Sequence, residues 1–131
     1  MFKTFAKLSA IASVAFASVA VAVPEGTKIP MNAKSQQEIN SLCESLGKYG
    51  GKVFEQMVIK GGNASELMAK AKQMDTNTGL LMLAAAEEAA LTLAEISKKR
   101  GIYASEIDSL RGLAETAATV RCHRMIVPKF N

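Results

Sequence analysis

The residues best placed to do chemistry lie near the end of the chain, in the stretch TVRCHRMIV. There Cys122 and His123, the only histidine, stand between Arg121 and Arg124. A thiol beside an imidazole is the material of a nucleophile–base pair or of half a metal site. Adjacent helix residues, however, point about 100° apart, and a thiolate–imidazole pair needs its side chains to meet. A zinc site needs three or four ligands, and the chain has neither a second histidine nor a C-x-x-C. The third option is a structural thiol bonded to Cys43, the one other cysteine. The choice depends on the compartment.

The other end of the chain speaks to that. Lys3 and Lys7 precede an uncharged, Ala- and Val-rich run from Leu8 to Val23. Ala20-Val21-Ala22 fits the small-x-small pattern of a signal peptidase site. A transmembrane anchor would need about 20 strongly apolar residues, and this run is shorter and diluted with Ala and Ser. The pattern predicts a cleaved secretory signal peptide over 1–22, with Ala20 as the second choice of cleavage site. No cysteine follows the site to carry a lipid anchor. Loss of Lys3 and Lys7 lowers the formal net charge from +4 to +2. So mild a charge does not point to nucleic acid. A periplasmic or secreted location is expected, without a stable membrane span after cleavage.

In an oxidising compartment, two cysteines read as one disulfide. The expected bond is Cys43–Cys122. It closes a loop of about 80 residues, and the chain-entropy model assigns that roughly 4 kcal/mol.

No enzyme signature accompanies it. H-E-x-x-H, G-x-S-x-G and the phosphate loop are all missing from the sequence. Gly47 to Gly51 is glycine-rich but lies inside a helical stripe and lacks the P-loop Lys-Ser/Thr ending. Glu87 and Glu88 are helix neighbours and point apart, so a carboxylate pair is not implied. With Glu95 they are read as a solvated acidic face. Met57, Met68, Met74 and Met82 fall singly on apolar stripes, so core packing accounts for them better than copper does. No catalytic residue, cofactor or metal is expected.

The elements that position these residues are helical. Ser35-x-x-Glu38 is a capping-box pattern. Ile39, Leu42, Cys43, Leu46, Val53 and Met57 follow at helical steps, which predicts a first helix over about 34–60. Gly47, Gly50 and Gly51 interrupt it, as a kink or as room for an Ala-rich neighbour. Gly61-Gly62 ends it. A short second helix is expected over about 63–74, and a central buried one over about 77–100. A fourth, capped by Ser105-x-x-Asp108, carries Ile107, Leu110, Ala114, Ala118, Cys122 and Met125 on one stripe and runs to Pro128. The expected organisation is an extended segment over 23–33, a helical domain over 34–127 and a tail over 128–131. The fold class is all-α: an irregular four-helix bundle of two helical hairpins, closed by one disulfide. With four antiparallel helices, Cys43 and Cys122 fall at the same end.

Basic-Gly-x-x-Ala-Ser-Glu-aliphatic occurs twice, at Lys60–Leu67 and Arg100–Ile107, 40 residues apart. That is the length of a helical hairpin. Duplication explains it, and so does the likeness of all helix stop and start signals.

In Leu42-Cys43, Lys60-Gly61 and Cys122 the chain resembles small exported helical proteins of proteobacteria and their phages. These carry one cysteine early in the first long helix, another at the end of the last, and a basic-Gly-x-x turn after the first. The resemblance implies fold and compartment and brings no activity. A further likeness, to periplasmic acid-stress chaperones, covers size, signal and cysteine count. The expected function is therefore a non-enzymatic exported protein that docks on a protein partner in the cell envelope or on a secreted one, as inhibitor, immunity factor or accessory subunit. Its candidate surface is Arg121, His123, Arg124 and Lys129, with Glu87, Glu88 and Glu95. The alternative is an acid-stress chaperone.

Overall fold

Ser35 starts the bundle. In a computed structural model of the protein, described for residues 23–24, 26–61 and 65–130, its Oγ accepts from the Glu38 N–H at 3.3 Å. Glu38 Oε2 in turn accepts from the Lys34 N–H at 2.9 Å. Two orphan donors at the helix start are thereby satisfied. The helix, α1, spans Gln36–Ile59, and Gly61 leaves it at φ +69°, a conformation that suits glycine. α2 is short, Ser65–Gln73, and Tyr49 ties it to α1 by donating to the Leu67 carbonyl at 2.6 Å. Burial pushes the Tyr49 phenol up to about 12.

α3, Thr76–Lys99, is capped by Asp75, whose Oδ1 accepts from the Thr78 N–H at 3.0 Å. Leu81, Ala84 to Ala86, Ala89, Ala90 and Leu93 are buried, as the central helix requires. A 3₁₀ turn, Ala104–Glu106, leads into α4, Ile107–Met125. The expected Ser105 cap is replaced. Glu106 precedes α4, and its carboxylate accepts from the Tyr103 N–H at 3.1 Å and from both Arg100 Nη atoms at 2.7 Å. The first copy of the repeated motif makes the analogous pair, Lys60–Glu66 at 3.6 Å. The backbone paths differ: Lys60 lies at φ −93°, ψ 14°, and Arg100 is extended. The two turns share a clamp and not a conformation.

α1 and α4 run antiparallel, since Cys43 meets Cys122 near one end and Glu55 meets Arg111 at 2.8 Å near the other. The glycines sit at this seam. A Cβ on Gly50 would lie 2.6 Å from Ala118 Cβ and 3.2 Å from the Ala85 carbonyl oxygen, and one on Gly51 would lie 2.8 Å from Glu115 Oε1. They serve close approach, in an α1 that is continuous. The disulfide Cys43–Cys122 is present, with Cα atoms 5.4 Å apart, inside a cluster with Ile39, Leu46, Leu81 and Met125.

The four-helix bundle closed by one disulfide is thus observed, and two strands are added to it. β1, Ile29–Ala33, and β2, Ile126–Phe130, pair in parallel, Ile29 against Ile126 through Ala33 against Phe130. The helical domain expected to reach 127 therefore stops at Met125, and most of the expected tail is strand. The residue before a proline is driven out of the α region, and Val127 precedes Pro128. The expected signal peptide over 1–22, and Gly62 to Ala64 of the repeat, lie outside the described residues.

Two measurements check this packing. Gly50→Ala should destabilise by about 1–2 kcal/mol, because the clash outweighs the gain of roughly 1 kcal/mol in helix propensity. Gly112→Ala, whose Cβ would meet nothing within 4 Å, should stabilise by up to about 1 kcal/mol. Urea unfolding reads both. In the same assay, the pair Cys43→Ala/Cys122→Ala should lose roughly 4 kcal/mol.

Candidate functional site

Arg121 lies at a core position of α4, three residues after Ala118 and four before Met125, both buried. Glu87 occupies the matching kind of place on α3, between Ala84 and Ala90. The two meet inside. Arg121 Nη1 donates to Glu87 Oε1 at 3.1 Å and to Glu88 Oε2 at 2.8 Å. The three side chains are 10%, 11% and 15% exposed.

This corrects two expectations. Arg121, Glu87 and Glu88 are not a solvated surface, and the carboxylates of Glu87 and Glu88 do converge. Their Cβ atoms diverge around the helix, but two further carbons let each carboxylate swing back to a shared cation. Helix-wheel reasoning stops at Cβ and misses that reach. The signal was nonetheless present: an Arg and a Glu each at apolar-stripe spacing on separate helices. Burial opposes the charge on Arg121, while its hydrogen bonds to Glu87 and Glu88 hold its pKa above the ordinary arginine value.

The cluster forms one side of a cavity of about 560 Å³. α3 supplies Glu87, Glu88 and Leu91, and α4 supplies Arg121, Arg124 and Met125. The stretch ahead of β1 lines its N-terminal side through Val23, Pro24, Gly26, Thr27 and Lys28. Lys28 Nζ donates to the Arg124 carbonyl at 2.7 Å, at the negative end of the α4 dipole, and so fixes that stretch against the helix end.

The remaining expected residues are scattered. His123 and Arg124 are exposed at the end of α4, and Lys129 is exposed on β2. Glu95 is exposed on α3 and pairs with Lys99 at 3.5 Å. His123 and Cys122 do not form a catalytic pair, because Cys122 is in the disulfide. Among the described residues no three His, Cys, Asp or Glu side chains are grouped to hold a metal, and no helix is long and apolar enough to cross a membrane. Sequence reasoning missed Val127 and Phe130, which are 44% and 53% exposed on β2. No protein-family model, curated protein or solved structure matches the chain.

What the cluster does energetically is testable. Arg121→Met strands two carboxylates and should cost about 3–5 kcal/mol in urea unfolding. Replacing the whole set, as Arg121→Met/Glu87→Leu/Glu88→Gln, should recover most of that loss.

Proposed function

We propose that the protein is an exported, non-enzymatic binding protein that docks on an acidic, partly apolar surface of an envelope or secreted protein. The observation that carries this reading is the exposed stretch from the end of α4 through β2. It presents His123, Arg124 and Lys129 together with Val127 and Phe130. The disulfide and the strand pairing hold that stretch to the bundle. An aromatic and an arginine on a rigid support are the composition of an interface hot spot, since little conformational entropy is lost on binding. Export is supported by the disulfide and by the signal-like first 22 residues.

A second reading, an acid-stress chaperone, is favoured by one observation: carboxylates join α4 to both long neighbours, through Glu55–Arg111 and through Glu87 and Glu88 with Arg121. Hydrogen bonds from Arg100 and from the Tyr103 N–H hold the Glu106 carboxyl below its usual range, and the Thr78 N–H does the same for Asp75. A depressed carboxyl contributes stability above its unfolded pKa and loses it as pH falls through the folded value. Acid therefore weakens the cap of α3 at Asp75 and the turn into α4 at Glu106.

Capture by the mature, oxidised protein from a periplasmic extract tests both readings. One stoichiometric protein retained at neutral pH, and lost with Arg124→Glu/Phe130→Ser at unchanged thermal midpoint, is the expected result. Retention that survives those substitutions overturns the docking surface. Many proteins retained only near pH 3 replace the binder with the chaperone.

A further inference from the structure

Glu87 Oε2 is buried and has no hydrogen-bond partner among the described residues. Glu87 is 9% exposed and lines the cavity. Its immediate surroundings are one positive charge short, because two carboxylates share the single buried cation of Arg121 through one nitrogen. A buried carboxylate without full compensation is costly. Among the described residues the other cations lining the cavity are Lys28, committed to the Arg124 carbonyl at an exposed position, and Arg124, also exposed. Val23, the first of the described residues, lines the same cavity, is 2% exposed and packs in the cluster that holds the disulfide. Val23 is also the residue that cleavage after Ala22 makes first.

We propose that signal-peptide cleavage creates the missing cation: the new α-ammonium of Val23 enters the cavity and pairs with Glu87, beside Glu88 and Arg121. The inference rests on the export reading. Hydrolysis breaks the Ala22–Val23 amide, water supplies the hydroxyl to the Ala22 carboxyl, and the released amine takes up a proton at neutral pH. In the precursor the same nitrogen is a neutral amide and cannot balance the charge. The latch therefore closes only after processing, and it ties the segment ahead of β1 to α3 and α4. Folding is completed on the far side of the membrane, where Cys43 and Cys122 can also oxidise.

The sign of the pH dependence follows. A free α-amine titrates near 7.7–8.0, and pairing raises that value in the folded state. The stabilisation is full below about pH 7.7 and is lost as pH rises through the raised value. Among the described residues the charged groups that line the cavity with Val23 are Glu87 and Glu88 from α3, Arg121 and Arg124 from α4, and Lys28 ahead of β1.

The test expresses the full chain in an export-competent host and purifies the oxidised product. Its intact mass identifies the first residue, and NMR follows titration of the α-amine. The expected result is Val23 first, with its amine titrating at least one unit above the ordinary value. Glu87→Gln should abolish that shift, and Glu95→Gln, at an exposed acid of the same helix that does not line the cavity, should leave it. A Val23 amine that titrates normally in the unsubstituted protein overturns the latch and leaves export standing. A shift that survives Glu87→Gln, or that Glu95→Gln removes, also overturns it. A different first residue overturns the latch by removing the amine, and retained Met1 overturns the export reading with it.

Discussion

The structure depends on how closely α1 and α4 approach. Gly47 faces Thr119 and the Glu115 carbonyl, Gly50 faces Ala118, and Gly51 faces the Glu115 and Arg111 side chains, so tightly that an added Cβ would enter the space of the facing helix. Glycine weakens a helix by roughly 1 kcal/mol per residue relative to alanine. Three of them in one helix make sense only where the backbones nearly touch. That contact brings Cys43 and Cys122 within bonding range, while α1 and α4 are each continuous. The disulfide then pins a geometry that small side chains already define.

The parallel strands follow from the same contact. Parallel neighbours cannot be joined by a tight turn and need a long crossover. Here the crossover is the whole bundle, from the first residue of α1 to the last of α4. β1 and β2 meet because the helix ends beside them meet. Two isolated strands hold together poorly in water, so the pair leans on the bundle through buried Ile29, Ala33 and Ile126.

Legibility in the sequence tracks the range of the interaction. The Ser35 cap, the Gly61 stop and the apolar stripe of α4 rest on neighbours within one helical turn, and their spacing reveals them. The cysteine pairing was legible because two cysteines allow one bond. The parallel sheet was not, because Ile126–Phe130 has no local partner and its alternation is cut by Pro128. Ser105 looked like a cap because the motif fits, yet Glu106 takes the donors through a bidentate contact with Arg100 that only the folded turn assembles. The buried ionic cluster lay between these cases: Arg121 and Glu87 stand at stripe positions, but which cation meets which acid depends on how α3 lies against α4.

That dependence also gives the cluster its structural meaning. The buried faces of α3 and α4 are rich in alanine: Ala84, Ala85, Ala89 and Ala90 on α3 and Ala114 and Ala118 on α4 are all nearly fully buried. Surfaces of small, similar side chains discriminate weakly between registers, since sliding by one turn, about 5.4 Å, exchanges one alanine for another. A charge does not slide so cheaply. Moving α4 by a turn takes Arg121 away from Glu87 and Glu88 and leaves three ionised groups in a poorly solvated place, at a cost of several kcal/mol. An apolar set of equal volume would be as stable in the native register and far less particular about it. The cluster fixes how α4 lies along α3, and hence where its end and the start of β2 are placed. The exposed arginine, lysine and phenylalanine of that stretch owe their placement to a charge buried one turn before Arg124.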